Sequence, residues 1–517
     1  MPAADQPKLL DLPEQPAPPP PRETRGELKL RSINRAQTTL AHIYVEELIP
    51  VDHKARAIWE LVGRLDLSRF RQQMRTTQGC AGRPAWDPQL LVSLWLYAYS
   101  EGISSAREIE RLMPWEPGLQ WLSGLETVNA HTLSDFRVEH KEALDNLFAQ
   151  LLALLAGEGL VDLSQVMHDG TKIRAQAGAD SFRREKTLRQ RLEEAREAVR
   201  QMSDPHSEGR DKERRQAARE RALRERLQRL ESALEELQRL QEGKGVESEQ
   251  AAVRVSLSEP EARVMKHGDQ AMAPSYNAQI STEAGHKVIV GAHLSQCSSD
   301  GQSLMPALEQ VEQNLERKPE QVVVDGGFTN RSNIMECAAA EIDLIGSLPA
   351  AAERSAAAMK SQGIDAAFAP HHFRILDGGE RVQCPAGCRL EYVRQSQKRG
   401  DRYHQYRARG EDCQACRYQR QCCPKQSRHG RTVSIRVKEQ EDVAAFRQKM
   451  ESAESRMIYR RRGEVAEFPN AWIKEKLGVR KFRVRGLVKA GSELLWACLT
   501  YNVMQWIRII WRPAVMA

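Results

Sequence analysis

No stretch of this 517-residue sequence approaches the ~18–20 uninterrupted apolar residues that span a bilayer. The N-terminus lacks the basic-then-apolar layout of a secretory signal. Cysteine is sparse, with 10 in the whole chain, and without a secretory signal that argues against a disulfide scaffold. Membrane and secreted classes are therefore disfavoured, and a cytosolic protein is expected. What is present is globular: 41% apolar residues with 28% charged ones. The length suggests about three domains. Charge is unevenly spread over a net of +7. Residues 456–489 hold eleven Lys/Arg against three Glu, a local net of +8, so the remainder sums to about −1. An excess of this size points to a polyanion, most simply DNA or RNA.

Along the chain the texture changes several times. Eight prolines before position 22, four of them consecutive from Pro18 to Pro21, predict a tail that builds no core. Residues 50–150 have helical spacing, in Ile58, Leu61, Val62, Leu65 and again in Leu90, Leu91, Leu94, Leu96, Tyr97. Asp87-Pro88 is an N-cap followed by proline, and Asn129–Arg137 (NAHTLSDFR) is another helix start. Trp86, Trp95, Trp115 and Trp121 read as core aromatics. Val161–Ile173 reads as strand, turn and strand, with Asp169-Gly170 at the turn. Leu188, Leu192, Ala195, Val199, Met202 and Leu223, Leu227, Leu230, Leu234, Leu237 repeat at spacings of three and four. Ser203-Asp204-Pro205 and Gly209 separate them, which predicts an antiparallel helical hairpin. Residues 276–345 alternate strand and helix, residues 370–432 are Cys-, His- and Arg-rich with little periodicity, and 440–511 return to helix.

Three features carry chemistry. Asp325 follows three valines (322 to 324) and precedes Gly326-Gly327, at the C-terminal end of a buried strand. Asp169 follows Val166-Met167 and precedes Gly170. Two such carboxylates can share a divalent cation, and Mg²⁺ takes oxygen ligands. Each alone is also an ordinary turn residue before glycine. Glu464 and Glu467 lie three apart in the basic segment, beside Arg460, Arg461, Arg462 and Lys474, where a salt-bridged surface acid is the plainer reading. Separately, Cys384 and Cys388 precede Cys413-Gln-Ala-Cys416, Cys422 and Cys423, the spacing of a structural zinc site. Cys384, Cys413, Cys416 and Cys422 are the preferred ligands. Cys388, Cys423 and His429 are reserves, while Cys80, Cys297, Cys337 and Cys498 stand alone.

Asp169 (HDGTKI), Asp325 (VVVDGGFTN) and Glu467 (YRRRGEVAEFPNAWIKEKLGVRKF) resemble the Asp-Asp-Glu triad of bacterial insertion-sequence DDE transposases. Tyr459, Arg462, Glu467 and Lys474 fit that family's third block, and the lysine seven residues on selects Glu467, since the same offset from Glu464 falls on Ala471. RKFRVRGL and ELLWACLTYNV are similar to its C-terminal blocks. GISSAREIE, LQWLSG and HTLSDFR resemble the InsH-type N-terminal transposase domain, and EPEARVMK with SYNAQI, then Asp300, its central blocks. The likeness runs in order over roughly 45–511. The chain departs from the pattern at Phe468-Pro469-Asn470-Ala471-Trp472, where the family has Phe-Gly.

The resemblance implies an α/β fold with an RNase-H-like catalytic core. A helical hairpin and a Cys-rich zinc module interrupt the core, behind an all-α N-terminal domain. The expected parts are a Pro-rich tail (1–35), a helical DNA-binding domain (36–157), the core's first part (158–180) and the hairpin (181–250). The core's second part (251–350), the zinc insertion (351–435) and the catalytic and core helices (436–517) follow. Asp169, Asp325 and Glu467 would hold Mg²⁺ or Mn²⁺, Zn²⁺ would be structural, and Tyr459, Arg462 and Lys474 would meet DNA. The implied partners are the terminal repeats of a mobile element and target DNA, engaged by at least a dimer near the nucleoid, with no membrane. The rival readings are a nuclease of the same fold without strand transfer, a catalytically silent DNA-binding derivative, and a zinc-finger regulator. The regulator explains the cysteines but neither aspartate.

Overall fold

The computed structural model describes residues 42–72, 74, 84–202, 210–348, 359–398, 401–424 and 429–516. The Pro-rich tail, the hairpin's Ser203-Asp204-Pro205 and Gly209, and Cys80 lie outside the described residues. The chain divides into residues 1–44 and a compact unit, Val45–Ala517.

Within that unit, helices α1 (Lys54–Gly63), α2 (Pro88–Ser100) and α3 (Lys141–Gly157) follow the sequence periodicity. Asp87 caps α2 by accepting from the Gln89 N–H, with Pro88 in the first turn, as its sequence predicts. Asn129 caps Ala130–Glu139 through the Thr132 N–H at 2.8 Å. Trp95 is fully buried, whereas Trp115 is 79% exposed, contrary to the expectation of a core aromatic. Trp115 stands in the turn from the short helix Ala106–Leu112 into Pro117–Ser123, where its neighbour Pro114 is exposed as well.

The central sheet has six strands: β1 (Gln165–Arg174), β2 (Arg263–Lys266), β3 (Met272–Glu283), β4 (Ile289–Ser295), β5 (Gln321–Val324) and β6 (Asp343–Gly346). Strands run β2-β3-β1-β5-β6, with β4 also on β3. β3 and β4 are antiparallel neighbours on one side of β1, and β5 and β6 are parallel on the other. The parallel strands are short and nearly all apolar, as strands covered on both faces must be.

β1 corrects the sequence reading. It is one continuous strand, with Asp169 and Gly170 in its middle rather than at a turn. Gly170 is there because of a close approach: a Cβ on it would lie 2.6 Å from Asp300 Oδ1 and 2.8 Å from Gln279 Nε2.

After β1 come α4 (Glu185–Met202) and α5 (Arg210–Glu242), the expected hairpin. Leu188, Leu192 and Ala195 bury against Leu230, Ala233 and Leu237 along its seam. Helix α6 (Leu304–Leu315) precedes β5, and α7 (Arg331–Ala339) connects β5 to β6.

The Cys-rich stretch is more ordered than its composition predicts. It forms a five-stranded antiparallel sheet of β7 (Arg374–Leu376), β8 (Arg381–Gln383), β9 (Arg389–Lys398), β10 (Asp401–Ala408) and β11 (Thr432–Lys438). Its strands are polar and their buried face is small, limited to Val382, Leu390, Tyr406, Ala408, Val433 and Phe373, so alternation is faint in the sequence. A buried ion pair ties this sheet to the central one: Arg331 at the start of α7 donates to both oxygens of Asp401, which also accepts from the Tyr403 hydroxyl and the Gln440 N–H.

The chain returns through α8 (Glu441–Met450), α9 (Ala453–Arg462), a π-helical turn (Gly463–Glu467), α10 (Phe468–Glu475) and α11 (Leu487–Trp506). α11 is the expected apolar core helix, and it joins N-terminal helices to the sheet. The Trp496 indole donates to the Arg137 carbonyl, and Asn502 exchanges two hydrogen bonds with the Ile289 backbone.

Candidate active site

The register of β1 and β5 sets two carboxylates side by side. His168 pairs with Val324 in parallel, so Asp169 and Asp325 are the next residues on adjacent strands. Asp325 lies just past the end of β5. Its Oδ1 accepts from the Gly327 N–H at 2.7 Å, and the Thr329 hydroxyl donates to its carbonyl at 2.9 Å. That turn fixes the carboxylate, and Oδ2 accepts no hydrogen bond among the described residues.

Asp169 is mostly buried. Its Oδ2 accepts from the Asn470 amide at 3.0 Å, and Arg462 lies 3.9 Å from its Oδ1. Burial pushes the Asp169 carboxyl up to about 6, Arg462 opposes the rise, and the neighbouring Asp325 adds to it. Arg462 also faces Glu467, at 3.6 Å. One guanidinium therefore spans the first and third predicted carboxylates. Glu467 remains 66% exposed on its π-helical turn. Arg462 reaches Glu467 by an ion pair, and Glu464 has none among the described residues.

The π turn has a local cause. Pro469 has no N–H to donate, so the helical ladder is already interrupted where the turn passes into α10. This is the stretch where the sequence departs from the family pattern, and it delivers Asn470 to Asp169. Lys474, on the same helix, donates to the Thr171 hydroxyl, and burial lowers its ammonium below the usual lysine value. Tyr459 is half-buried against the cluster of Met167, Val323 and Ile345, and so packs beneath the site.

Sequence reasoning missed Asn470 as a site residue, along with a polar layer on β3. Asn277 and Gln279 are fully buried and donate to Asp300 Oδ1 at 2.6 and 3.3 Å. Gln279 Oε1 also contacts His168 Nε2, and Ser281 Oγ contacts its Nδ1. Burial takes the His168 imidazole down to about 3, so it is neutral. Alternate polar residues on an otherwise apolar strand were the available signal.

The donor chemistry at Asp169 and Asp325 suits a hard divalent cation, and the Oδ1 of Asn470, whose Nδ2 bonds Asp169, is a buried acceptor with no partner among the described residues. Among the described residues, however, no three His, Cys, Asp or Glu side chains converge as a metal site does. That holds for the aspartates with Glu467 and also for the cysteines. Cys384, Cys388, Cys413, Cys416, Cys422 and Cys423 do line one cavity of about 20 Å³. Burial raises the Cys388 and Cys422 thiols to about 11. The Arg431 N–H donates to Cys413 Sγ at 3.3 Å.

A cleft of about 1470 Å³ opens next to the turn after Asp325, between α6, the start of α7 and the Cys-rich sheet, lined among others by Gly326, Gly327, Arg331, Tyr403 and Arg436. No helix among the described residues is long and apolar enough to cross a membrane.

Two transposase family models match parts of the chain. The transposase domain family of unknown function matches residues 43–139, and the transposase DDE domain family matches residues 383–507. No curated protein matches the chain significantly. The DDE match contains Glu467, Arg462 and Lys474, while Asp169 and Asp325 precede it. A DDE domain implies a divalent metal at its catalytic site and DNA as its substrate. Two transposase matches in this order support a DDE transposase of an insertion sequence.

Proposed function

We propose that the protein binds the ends of its mobile element and catalyses metal-dependent DNA cleavage and strand transfer. The observation that carries this reading is the placement of Asp169 and Asp325 on adjacent strands, with Arg462 spanning Asp169 and Glu467. The sheet, antiparallel on one side of β1 and parallel on the other, supports an RNase-H-like core.

In this reading Asp169, Asp325 and Glu467 hold Mg²⁺ or Mn²⁺. When bound, the metals supply an activated oxygen nucleophile and stabilise the leaving oxygen. Asn470 keeps Asp169 oriented. Arg462 and Lys474 meet the phosphates flanking the cut, and Tyr459, expected from the sequence to meet DNA, is half-buried against the core and supports the helix that presents Arg462. Water attacks first and frees a 3′-OH at the element end. That 3′-OH then attacks a target phosphodiester and displaces its 3′ oxygen. The sequence of steps needs no covalent protein–DNA bond.

Zn²⁺ on Cys384, Cys413, Cys416 and Cys422 belongs to the same reading, as a structural ion that plays no part in cutting. The shared cavity and the N–H bond to Cys413 sulfur support it. Residues 36–157 are assigned to end recognition and at least a dimer to the active assembly near the nucleoid.

The test uses a plasmid carrying the DNA that flanks this gene. Purified protein is incubated with it and Mg²⁺ or Mn²⁺, and 3′ ends are mapped at nucleotide resolution. Cuts at fixed flanking repeats, followed by joining to new DNA, support the proposal. Cuts without joining favour the nuclease, and site-specific binding without cuts favours the silent DNA-binding derivative.

A further inference from the structure

The helical hairpin contains a second basic feature, separate from the carboxylates. Arg183, Arg191, Arg226, Arg229 and Arg485 line one pocket of about 320 Å³, with Leu230 and Leu257 among its apolar walls. The arginines come from four places. Arg183 lies in the two-residue ladder Phe182–Arg183 with Val255–Ser256, Arg191 in α4, Arg226 and Arg229 in α5, and Arg485 just before α11. Among the described residues no carboxylate lines the pocket. Arg191 pairs with Glu194 at 3.0 Å, and Arg183 donates to the carbonyls of Asp180 and Phe182. Arg226, Arg229 and Arg485 have no ion pair among the described residues, although neighbours on the same hairpin are paired, such as Arg224 with Glu220 and Arg196 with Glu193.

Gathering five guanidinium groups around one pocket is electrostatically unfavourable unless an anion joins them. Guanidinium forks suit phosphate oxygens, and an apolar wall strengthens the contact by excluding water. Arg485 also belongs to the basic segment 456–489, so the pocket continues that segment's charge onto the hairpin. We infer that this pocket binds the phosphodiester backbone of DNA, which makes the hairpin a DNA-holding arm. The inference rests on the transposase reading for its choice of DNA as the polyanion.

The experiment measures binding of a fluorescent 30-base-pair duplex of arbitrary sequence by full-length protein, across 50–200 mM KCl. It compares wild type with Arg226→Ala/Arg229→Ala, Arg485→Ala and the control Arg224→Ala. All are surface changes, and a thermal melt confirms folding. Losing two phosphate contacts is expected to weaken binding roughly 10- to 30-fold near 0.15 M salt and to reduce the salt slope by about two units. Arg485→Ala should reduce the slope by about one unit, and Arg224→Ala should leave it unchanged. Unchanged affinity and slope in the double variant overturn the inference, and so does a wild type that binds no duplex. The plasmid cleavage assay runs in parallel. Cleavage by wild type with unaltered binding by the double variant sinks the pocket and leaves the transposase reading. Binding lost in the double variant, with no cleavage by wild type, does the reverse.

Discussion

Asn470 donates its side-chain amide to Asp169 Oδ2 at 3.0 Å, across 301 residues of sequence. Through that bond α10 is tied to β1, and a strand carboxylate acquires a fixed orientation. The other end of the amide, Oδ1, is buried without a partner among the described residues. Such an atom is tolerated where something outside the chain completes it.

Asn470→Ala should therefore lower metal-dependent DNA cleavage about 10- to 100-fold, the usual effect of removing a group that orients a metal ligand. Because the Asn470 bond favours ionised Asp169, its loss should also move the rising limb of the pH–rate profile upward. An altered profile separates a positioning role from simple loss of packing. An unchanged rate and profile would remove Asn470 from the site.

Gly170→Ala tests the reading of β1. The new methyl group meets Asp300 Oδ1 and Gln279 Nε2 well inside contact distance. Overpacking of this kind costs about 1–3 kcal/mol. Chemical denaturation should show that loss. A neutral result would mean that the polar layer of Asn277, Gln279 and Asp300 is loosely held.

Asp169 makes metal-free stability depend on pH. Its folded-state pKa of about 6 lies above the ordinary 3.8, so the folded protein binds its proton more tightly than the unfolded chain does. The contribution is favourable below about pH 4 and is lost as pH rises to about 6. At pH 7 in chelator, Asp169→Asn should raise stability by about 1–3 kcal/mol, and the gain should fade toward pH 4. Denaturation curves at several pH values measure this. A variant less stable than wild type at pH 7 would contradict the assignment.

Arg331→Ala should loosen the junction between the two sheets. It leaves the Asp401 carboxylate, which has no solvent exposure, with Arg436 at 3.6 Å as its remaining cation. Breaking a buried pair from one side costs about 3 kcal/mol or more. Hydrogen exchange should show the gain in opening concentrated in β10 and β11. Uniform protection in both proteins would mean that the pair does not hold the junction.

How much of this was legible beforehand follows from the residues involved. Val322 to Val324 announce β5 and place Asp325, because an all-apolar run ending in Asp-Gly has few other readings. Leu188, Leu192 and Ala195 give the hairpin for a similar reason. Asp169-Gly170 misleads, since the same pair that usually makes a turn is here a gap filled by Asp300 and Gln279 from distant elements. Asn470 was invisible because it lies on helix α10 and its partner, Asp169, is on β1, 301 residues away. The Cys-rich sheet was hidden by its polar strands, whose buried face is narrow.

The most direct test of the catalytic assignment compares Asp325→Ala, Glu467→Gln and Glu464→Gln with wild type in the same Mg²⁺-dependent cleavage of flanking DNA. Asp325→Ala and Glu467→Gln should each reduce cutting at least ~10³-fold while still binding the DNA, and Glu464→Gln should cut like wild type. Full activity in Glu467→Gln, with loss in Glu464→Gln, would contradict that assignment.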